Sequence, residues 1–188
     1  AVILATPAPI TASVVTSGFS ETVMASLGSI QYAPYVTLNL FLSERVWRDA
    51  WSLASLDDSF VTIYDAIRTQ VSEDYDEKGI LGVYIPGRSA RDLSILDQSD
   101  DVLVEQTLKD LENYVSGIRK KIVGQDVHRM RYAFPIFRPG YLNVLRKLEE
   151  DDSTSGPLFL AGDYMVYPIL DGAIESGLRA AEKVEEFL

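Results

Sequence analysis

Hydrophobic and polar positions change their period several times along the chain, and each change predicts a different element. Ala1 to Ala5 is an unbroken apolar run followed by Thr6-Pro7 and Pro9. Such a run predicts a strand buried on both faces, stopped by residues that cannot continue a ladder, of the kind found in parallel sheets covered by helices. Ser20 stands ahead of Val23, Met24 and Leu27 at helical spacing, so a short helix capped by Ser20 is expected to end at Gly28. From Tyr35 the period drops to two: Val36, Leu38, Leu40 and Leu42 alternate with Thr37, Asn39, Phe41 and Ser43, the pattern of a half-buried strand. Segments near Phe60, Ile80 and Asp126 look similar, the first two bounded by Asp-Asp, Lys-Gly and Pro-Gly turn signals, which predicts a succession of antiparallel strands.

Helical spacing returns from Ser99 to Ile122, with a Ser N-cap, two acids in the first turn and basic residues in the last, all suited to a helix dipole. One helix is expected there, its apolar face carrying Leu103, Leu108, Leu111, Tyr114, Val115, Ile118 and Ile122. Trp47 and Trp51, four apart, are expected to pack on one helix face. After Pro139-Gly140, Tyr141 to Glu150 predicts another amphipathic helix, and Asp151 to Pro157 a turn or linker. Leu158 to Gly162 predicts a second doubly buried strand. A closing helix begins at Asp171, with an apolar face of Ala173, Ile174, Gly177, Leu178, Ala181, Val184 and Leu188. The fold class expected is α+β: a mixed, mainly antiparallel sheet with helices, inserted between two end strands that share one sheet with the closing helix.

Composition narrows the function. A formal net charge of −11 over 188 residues repels phosphate backbones and anionic headgroups, so no nucleic-acid partner is expected. The absence of cysteine excludes a disulfide framework, a thiolate nucleophile and Cys-based metal sites, and a single histidine leaves a metal little to bind. No apolar run approaches the ~20 residues that span a bilayer, and a cytoplasmic location is expected. A first residue other than Met, directly in an apolar run, leads to the expectation of a fragment.

The residues that carry chemistry lie near the end. Gly162 permits close approach of a backbone, and Asp163 places a carboxylate at the carboxyl edge of the expected parallel sheet, where open α/β sheets hold ligands. Asp171-Gly172-Ala173 opens the closing helix, whose first N–H groups lack intrahelical acceptors and can donate to an electron-rich ligand edge. Two readings fit these residues: a cofactor lying across strand end and helix start, or an ordinary strand-helix unit with a capped helix. His128, between charged neighbours, is expected at the surface or in a structural role, and Arg138 at the surface. The acidic cluster from Ser72 to Gly79 lacks the ligand spacing of a calcium loop and is expected to be a solvated loop.

Ala161-Gly162-Asp163, Leu170-Asp171-Gly172-Ala173 and Ser176-Gly177 followed by Ala180-Ala181 resemble the C-terminal flavin-binding motif of the FAD-dependent amine oxidase superfamily, which includes monoamine oxidases, phytoene-type desaturases and protoporphyrinogen oxidases. The apolar strand with Thr6-Pro7 and the Pro135 to Gly140 segment resemble two further pieces of that family in the same order. The resemblance implies FAD as cofactor, with the site incomplete in this chain and its phosphate-binding half supplied by an N-terminal segment. It implies that Asp163 contacts the ribityl or pyrophosphate region, that Gly162 allows the approach, and that N–H groups around Leu170, Asp171, Gly172 and Ala173 face the N1/O2 edge of the isoalloxazine. Residues 1–15 would then be a strand and exit of the FAD domain, 16–150 a substrate-binding domain, and 151–188 the closing FAD-binding strand and helix. Ile169 stands where monoamine oxidases place a cage Tyr, and no Cys is present to attach flavin. The resemblance therefore favours a small apolar substrate, in the desaturase or porphyrinogen-oxidase manner, over an amine. As an isolated chain, a non-catalytic binding or interaction domain is the alternative, and self-association through exposed apolar surface is expected.

Overall fold

The computed structural model of the protein describes residues 1–47, 49–69, 78–87, 92–152 and 156–188. It has the mixed α+β architecture expected, in two compact units: residues 1–33 with 134–188, and residues 34–133. The unit boundary falls inside two long strands, so each unit is built from segments distant in sequence.

In the first unit, β1 (Val2–Leu4) and β7 (Leu158–Leu160) pair in parallel with Val2 opposite Leu158 and Leu4 opposite Leu160. The two end strands thus share one sheet. Around them lie α1 (Ala8–Val14), α2 (Glu21–Ser29), α4 (Tyr141–Asp152) and α5 (Leu170–Phe187). The α2 cap is the one expected: Ser20 Oγ accepts from the Val23 N–H at 3.2 Å. Helix α1 was not expected. Its signal is Pro7 and Pro9 beside Ala8: fixed φ and a missing N–H are tolerated in a first helical turn, and the prolines that stop the strand also start the helix. The expectation that β1 is buried on both faces fails in this chain, where Val2 is 50% and Ile3 43% exposed. The physical reason is that β1 belongs to a sheet of only two strands among the described residues.

The second unit is a five-stranded sheet in the order β3-β4-β5-β2-β6, comprising β2 (Tyr32–Leu42), β3 (Ser52–Ala54), β4 (Thr62–Asp65), β5 (Gly79–Pro86) and β6 (Ile122–Pro135). The β3-β4, β4-β5 and β5-β2 pairings are antiparallel. Alternation in β2 and β5 sends Val36, Leu38, Leu40, Leu42, Leu81, Val83 and Ile85 to one face, where they form a core with Leu103, Val104, Leu108 and Leu111 of α3 (Asp100–Leu111). Helix α3 ends eleven residues short of the expected Ile122. Beyond Leu111 the N–H groups of Asn113 and Tyr114 turn back to Asp110 and Leu111, and Gly117 takes φ +71, so Val115 and Ile118 reach the core from turns. Trp47 and Trp51 do not share a helix: Trp47 packs beside the core, and Trp51 precedes β3 and lies on the Tyr64 ring. Residues 72–77 of the acidic cluster and 153–155 of the expected linker lie outside the described residues; Asp151 and Asp152 close α4 instead of starting a linker.

Leu38 is fully buried at the centre of this core. Leu38→Ala removes its contacts and leaves a cavity, and is expected to cost about 2–5 kcal/mol, read as a lower urea midpoint with an unchanged slope.

Candidate functional site: the Gly162–Asp163 turn and the start of the closing helix

Strand β7 delivers a buried Phe159, Leu160 and Ala161, and the Ala161 N–H extends the parallel pairing by donating to the Leu4 carbonyl at 3.1 Å. The chain then turns sharply. Gly162 adopts φ +153, its N–H donates to Ser176 Oγ at 2.8 Å, and the Met165 N–H closes a 3-10 turn on the Gly162 carbonyl at 3.0 Å. A Cβ on Gly162 would lie 2.5 Å from the Tyr164 ring, which is fully buried beneath the turn. Glycine is therefore required both by backbone conformation and by close packing.

Asp163 opens this 3-10 turn. Burial pushes its carboxyl above the ordinary 3.8, opposed by the backbone N–H groups of Tyr164 and of Asp163 itself. Two buried phenols lie within its electrostatic reach. Tyr32, whose oxygen accepts from the Ala8 N–H at 3.1 Å, is pushed up to about 12, mainly by burial. Tyr141 is raised further, again mainly by burial.

Helix α5 starts without a side-chain cap: Ile169 is extended, and the Ala173 N–H donates to its carbonyl at 3.2 Å. The N–H groups of Leu170, Asp171 and Gly172 precede that first intrahelical bond and carry the positive end of the dipole. Gly172 is buried, and a Cβ there would overlap the Tyr167 carbonyl oxygen, so the loop before α5 folds directly over the helix start. The face of α5 that packs inward is Gly172, Ser176 and Ala180, with Val184 partly covered. This corrects the expected apolar face: Ile174 and Leu178 are 53% and 59% exposed, and Leu170 and Leu188 are exposed as well. Small side chains face inward because they let α5 approach β7 closely, and the larger apolar ones are left on the outside.

The structure thus places Gly162, Asp163, Leu170, Asp171, Gly172 and Ala173 in one unit, at a strand end and a helix start. Two contributors escaped the sequence reading. Ser176 stood in the quoted motif without a role, and Tyr141 stood only as the first residue after Pro139-Gly140; hydrogen-bond partners have no sequence period that would have marked either. His128 is exposed and paired with Asp126 at 2.6 Å, and Arg138 is exposed beside a hollow of about 130 Å³ that Gln31 and Tyr141 also line. Among the described residues there is no cluster of three or more His, Asp or Glu fit for a metal, and no helix long and apolar enough to cross a membrane.

The fold is shared with enzymes of known structure. A protein assigned as a protoporphyrinogen oxidase from Exiguobacterium sp. 255-15 superposes with a TM-score of 0.73 at 16% identity, over 98% of this chain and 40% of that one. Cyclohexylamine oxidase from Brevibacterium oxydans IH-35A gives 0.75 at 14% identity, over 98% and 42%. Reduced UDP-galactopyranose mutase gives 0.75 at 13% identity, over 99% and 41%. The chain spans about two-fifths of the length of these structures. No curated protein matches it. The chain belongs to the family of flavin containing amine oxidoreductases, whose model matches residues 1–185.

The raised carboxyl gives a signed test in the cofactor-free protein. A native-state value above the unfolded one means that the folded chain binds this proton more tightly, so the contribution to stability is present below the ordinary value and is lost as pH rises through the native one. Asp163→Asn is expected to raise the melting temperature at neutral pH, with the gain shrinking as pH falls toward the ordinary carboxylate range near 4. Melting curves across pH check it; a gain independent of pH would contradict the burial effect.

Proposed function

We propose that this chain supplies the closing part of an FAD site in an FAD-dependent oxidoreductase acting on a C–H bond of a small apolar substrate. The observation that carries the proposal is the pairing of a half-buried carboxylate, Asp163, with an uncapped helix start at Leu170 to Gly172 in a chain of the flavin containing amine oxidoreductase family. The residues fit such a group. Gly162 and Gly172 are engaged by internal packing, which holds the two edges of the site rigid, whereas burial works against the charge of Asp163. Asp163 would accept hydrogen bonds from ribityl hydroxyls, and the N–H groups of Leu170, Asp171 and Gly172 would donate to the N1/O2 edge, where the helix dipole favours developing negative charge. When bound, flavin supplies the two-electron acceptor, and the chain's own work is to orient that acceptor and tune its electronics.

Support for an apolar, unsaturated substrate comes from the second unit. On the sheet face opposite the apolar core, rings form a row across four adjacent segments: Tyr35 and Tyr84 centroids are 6.0 Å apart, Tyr84 and Tyr64 5.3 Å, and Tyr64 and Trp51 5.2 Å. Gly82 sits inside this face, paired with Tyr64 on one side and Asn39 on the other. A Cβ at Gly82 would meet only Asn39 Oδ1, at 3.8 Å, among the described residues. An interior strand glycine that neither packing nor backbone conformation requires marks a place where a ligand can approach closely. The absence of cysteine and the presence of Ile169 beside the helix start favour desaturase-like or porphyrinogen-oxidase-like chemistry over amine oxidation. Exposed Leu170, Ile174 and Leu178 support docking of a further polypeptide segment, such as an N-terminal FAD-binding half, since the structural neighbours are more than twice as long.

In the protein that carries this chain and its flavin, Asp163→Ala is expected to weaken FAD binding about ten- to a hundredfold, the scale of hydrogen bonds to a charged group, with far-UV circular dichroism unchanged. Flavin content that survives dialysis as in the parent would sink the assignment. Gly82→Val is expected to raise KM several-fold with flavin content unchanged, measured by anaerobic bleaching of the oxidised flavin with cyclic polyene, porphyrinogen and amine panels. Bleaching only by amines would replace the substrate reading.

A further inference from the structure

The turn that carries Asp163 is held from two sides. From α5, Ser176 Oγ accepts the Gly162 N–H at 2.8 Å. From α4, the Tyr141 hydroxyl donates to the Tyr164 carbonyl at 2.9 Å in a buried hydrogen bond. These two bonds hold the residues immediately before and after Asp163, so the short stretch of backbone that carries it is anchored on either side.

Tyr141 is itself well held. It is 8% exposed, its ring stacks on Phe137 with centroids 4.1 Å apart and planes 16° from parallel, and its N–H donates to the Arg138 carbonyl at 2.9 Å at the start of α4. Burial keeps the hydroxyl protonated, and therefore a donor, through the physiological range. Docking of α4 does not need this bond, since Leu148 on the same helix is fully buried and supplies apolar contact. A phenylalanine at position 141 would keep the stack and the buried ring. What the hydroxyl adds is a fixed place for the Tyr164 carbonyl, and through the backbone of Tyr164 an aim for Asp163.

We infer that Tyr141 is a positioning residue of the flavin site: its buried hydroxyl, bonded to the Tyr164 carbonyl, sets the direction of the Asp163 carboxylate, and it touches no ligand itself. The inference rests on the reading of Asp163 as a flavin contact given above. It adds a residue of α4, outside the closing motif, to the set that decides flavin affinity.

The test is a double-mutant cycle in the flavin-binding protein that carries this chain, using Tyr141→Phe, Asp163→Ala and the pair. FAD affinity is read by titrating apoprotein with FAD, and apoprotein stability by urea unfolding. Tyr141→Phe is expected to weaken FAD about five- to tenfold, the scale of one buried hydrogen bond, and to add less than about twofold in the Asp163→Ala background, because a residue acting through the Asp163 side chain has nothing left to aim. Its effect on urea stability, by contrast, is expected to be the same in both backgrounds. Phe137→Leu, which loosens the stack and keeps the hydroxyl, is expected to leave FAD affinity within about twofold of the parent, the range of changes that do not touch the network. An equal loss of affinity in both backgrounds, or a Phe137→Leu variant as impaired as Tyr141→Phe, would overturn the positioning role while leaving the flavin reading intact. Unchanged affinity in Asp163→Ala alone would overturn the flavin reading and this inference with it.

Discussion

Three residues of parallel pairing between β1 and β7 determine the first unit. The Val2–Leu4 and Leu158–Leu160 ladder brings the two ends of the chain into one sheet, and its last bond, from the Ala161 N–H to the Leu4 carbonyl, sets the point at which the chain leaves the sheet and turns through Gly162. Everything proposed for the site follows from where that turn begins. The intervening chain, with a whole second unit in it, is a tolerable insertion because loop-closure entropy grows only with the logarithm of length, by about 0.6 kcal/mol per doubling. A short ladder at the base of a long excursion can therefore persist once α5 and the neighbouring helices cover part of it.

The site combines residues fixed by packing with one whose charge burial opposes. Gly162 cannot carry a side chain because of its φ and the Tyr164 ring beneath it, and Gly172 cannot because of the Tyr167 carbonyl. Both glycines are accounted for by packing, so their presence in a flavin motif does not by itself argue for a ligand. Asp163 is the opposite case. Its burial works against its charge, opposed by the backbone N–H groups of Tyr164 and of Asp163 itself. A group held in an unfavourable ionisation environment beside an uncapped helix start is where function is expected to outweigh stability.

The second unit divides its sheet between two tasks. One face, lined by Leu38, Leu40, Leu81 and Val83, is closed by α3 and holds that unit together. The other carries tyrosines, Trp51 and an open place at Gly82, chemistry that an interior face would not need. Structural neighbours bearing the names of two oxidases and a mutase match this chain about equally well, so the scaffold does not choose the reaction.

The sequence alone determined the local elements whose cause is local. Alternation at Val36 to Leu42 identified β2, Ser20 and Ser99 marked the caps of α2 and α3, and the closing motif located the strand that leads to Gly162 and the helix after it. It misjudged what depends on neighbours. Helix α3 stops at Leu111 because the following turns serve the core as well as another helical turn would, and α5 buries Gly172, Ser176 and Ala180 because close approach to β7 outweighs the pull of its larger apolar side chains. Nor could periodicity have paired Tyr141 with Tyr164 or Ser176 with Gly162, since those bonds join residues 23 and 14 positions apart. Pattern records which face a residue prefers, but only the packed tertiary structure decides which donor meets which acceptor, because that depends on distances set by every element at once.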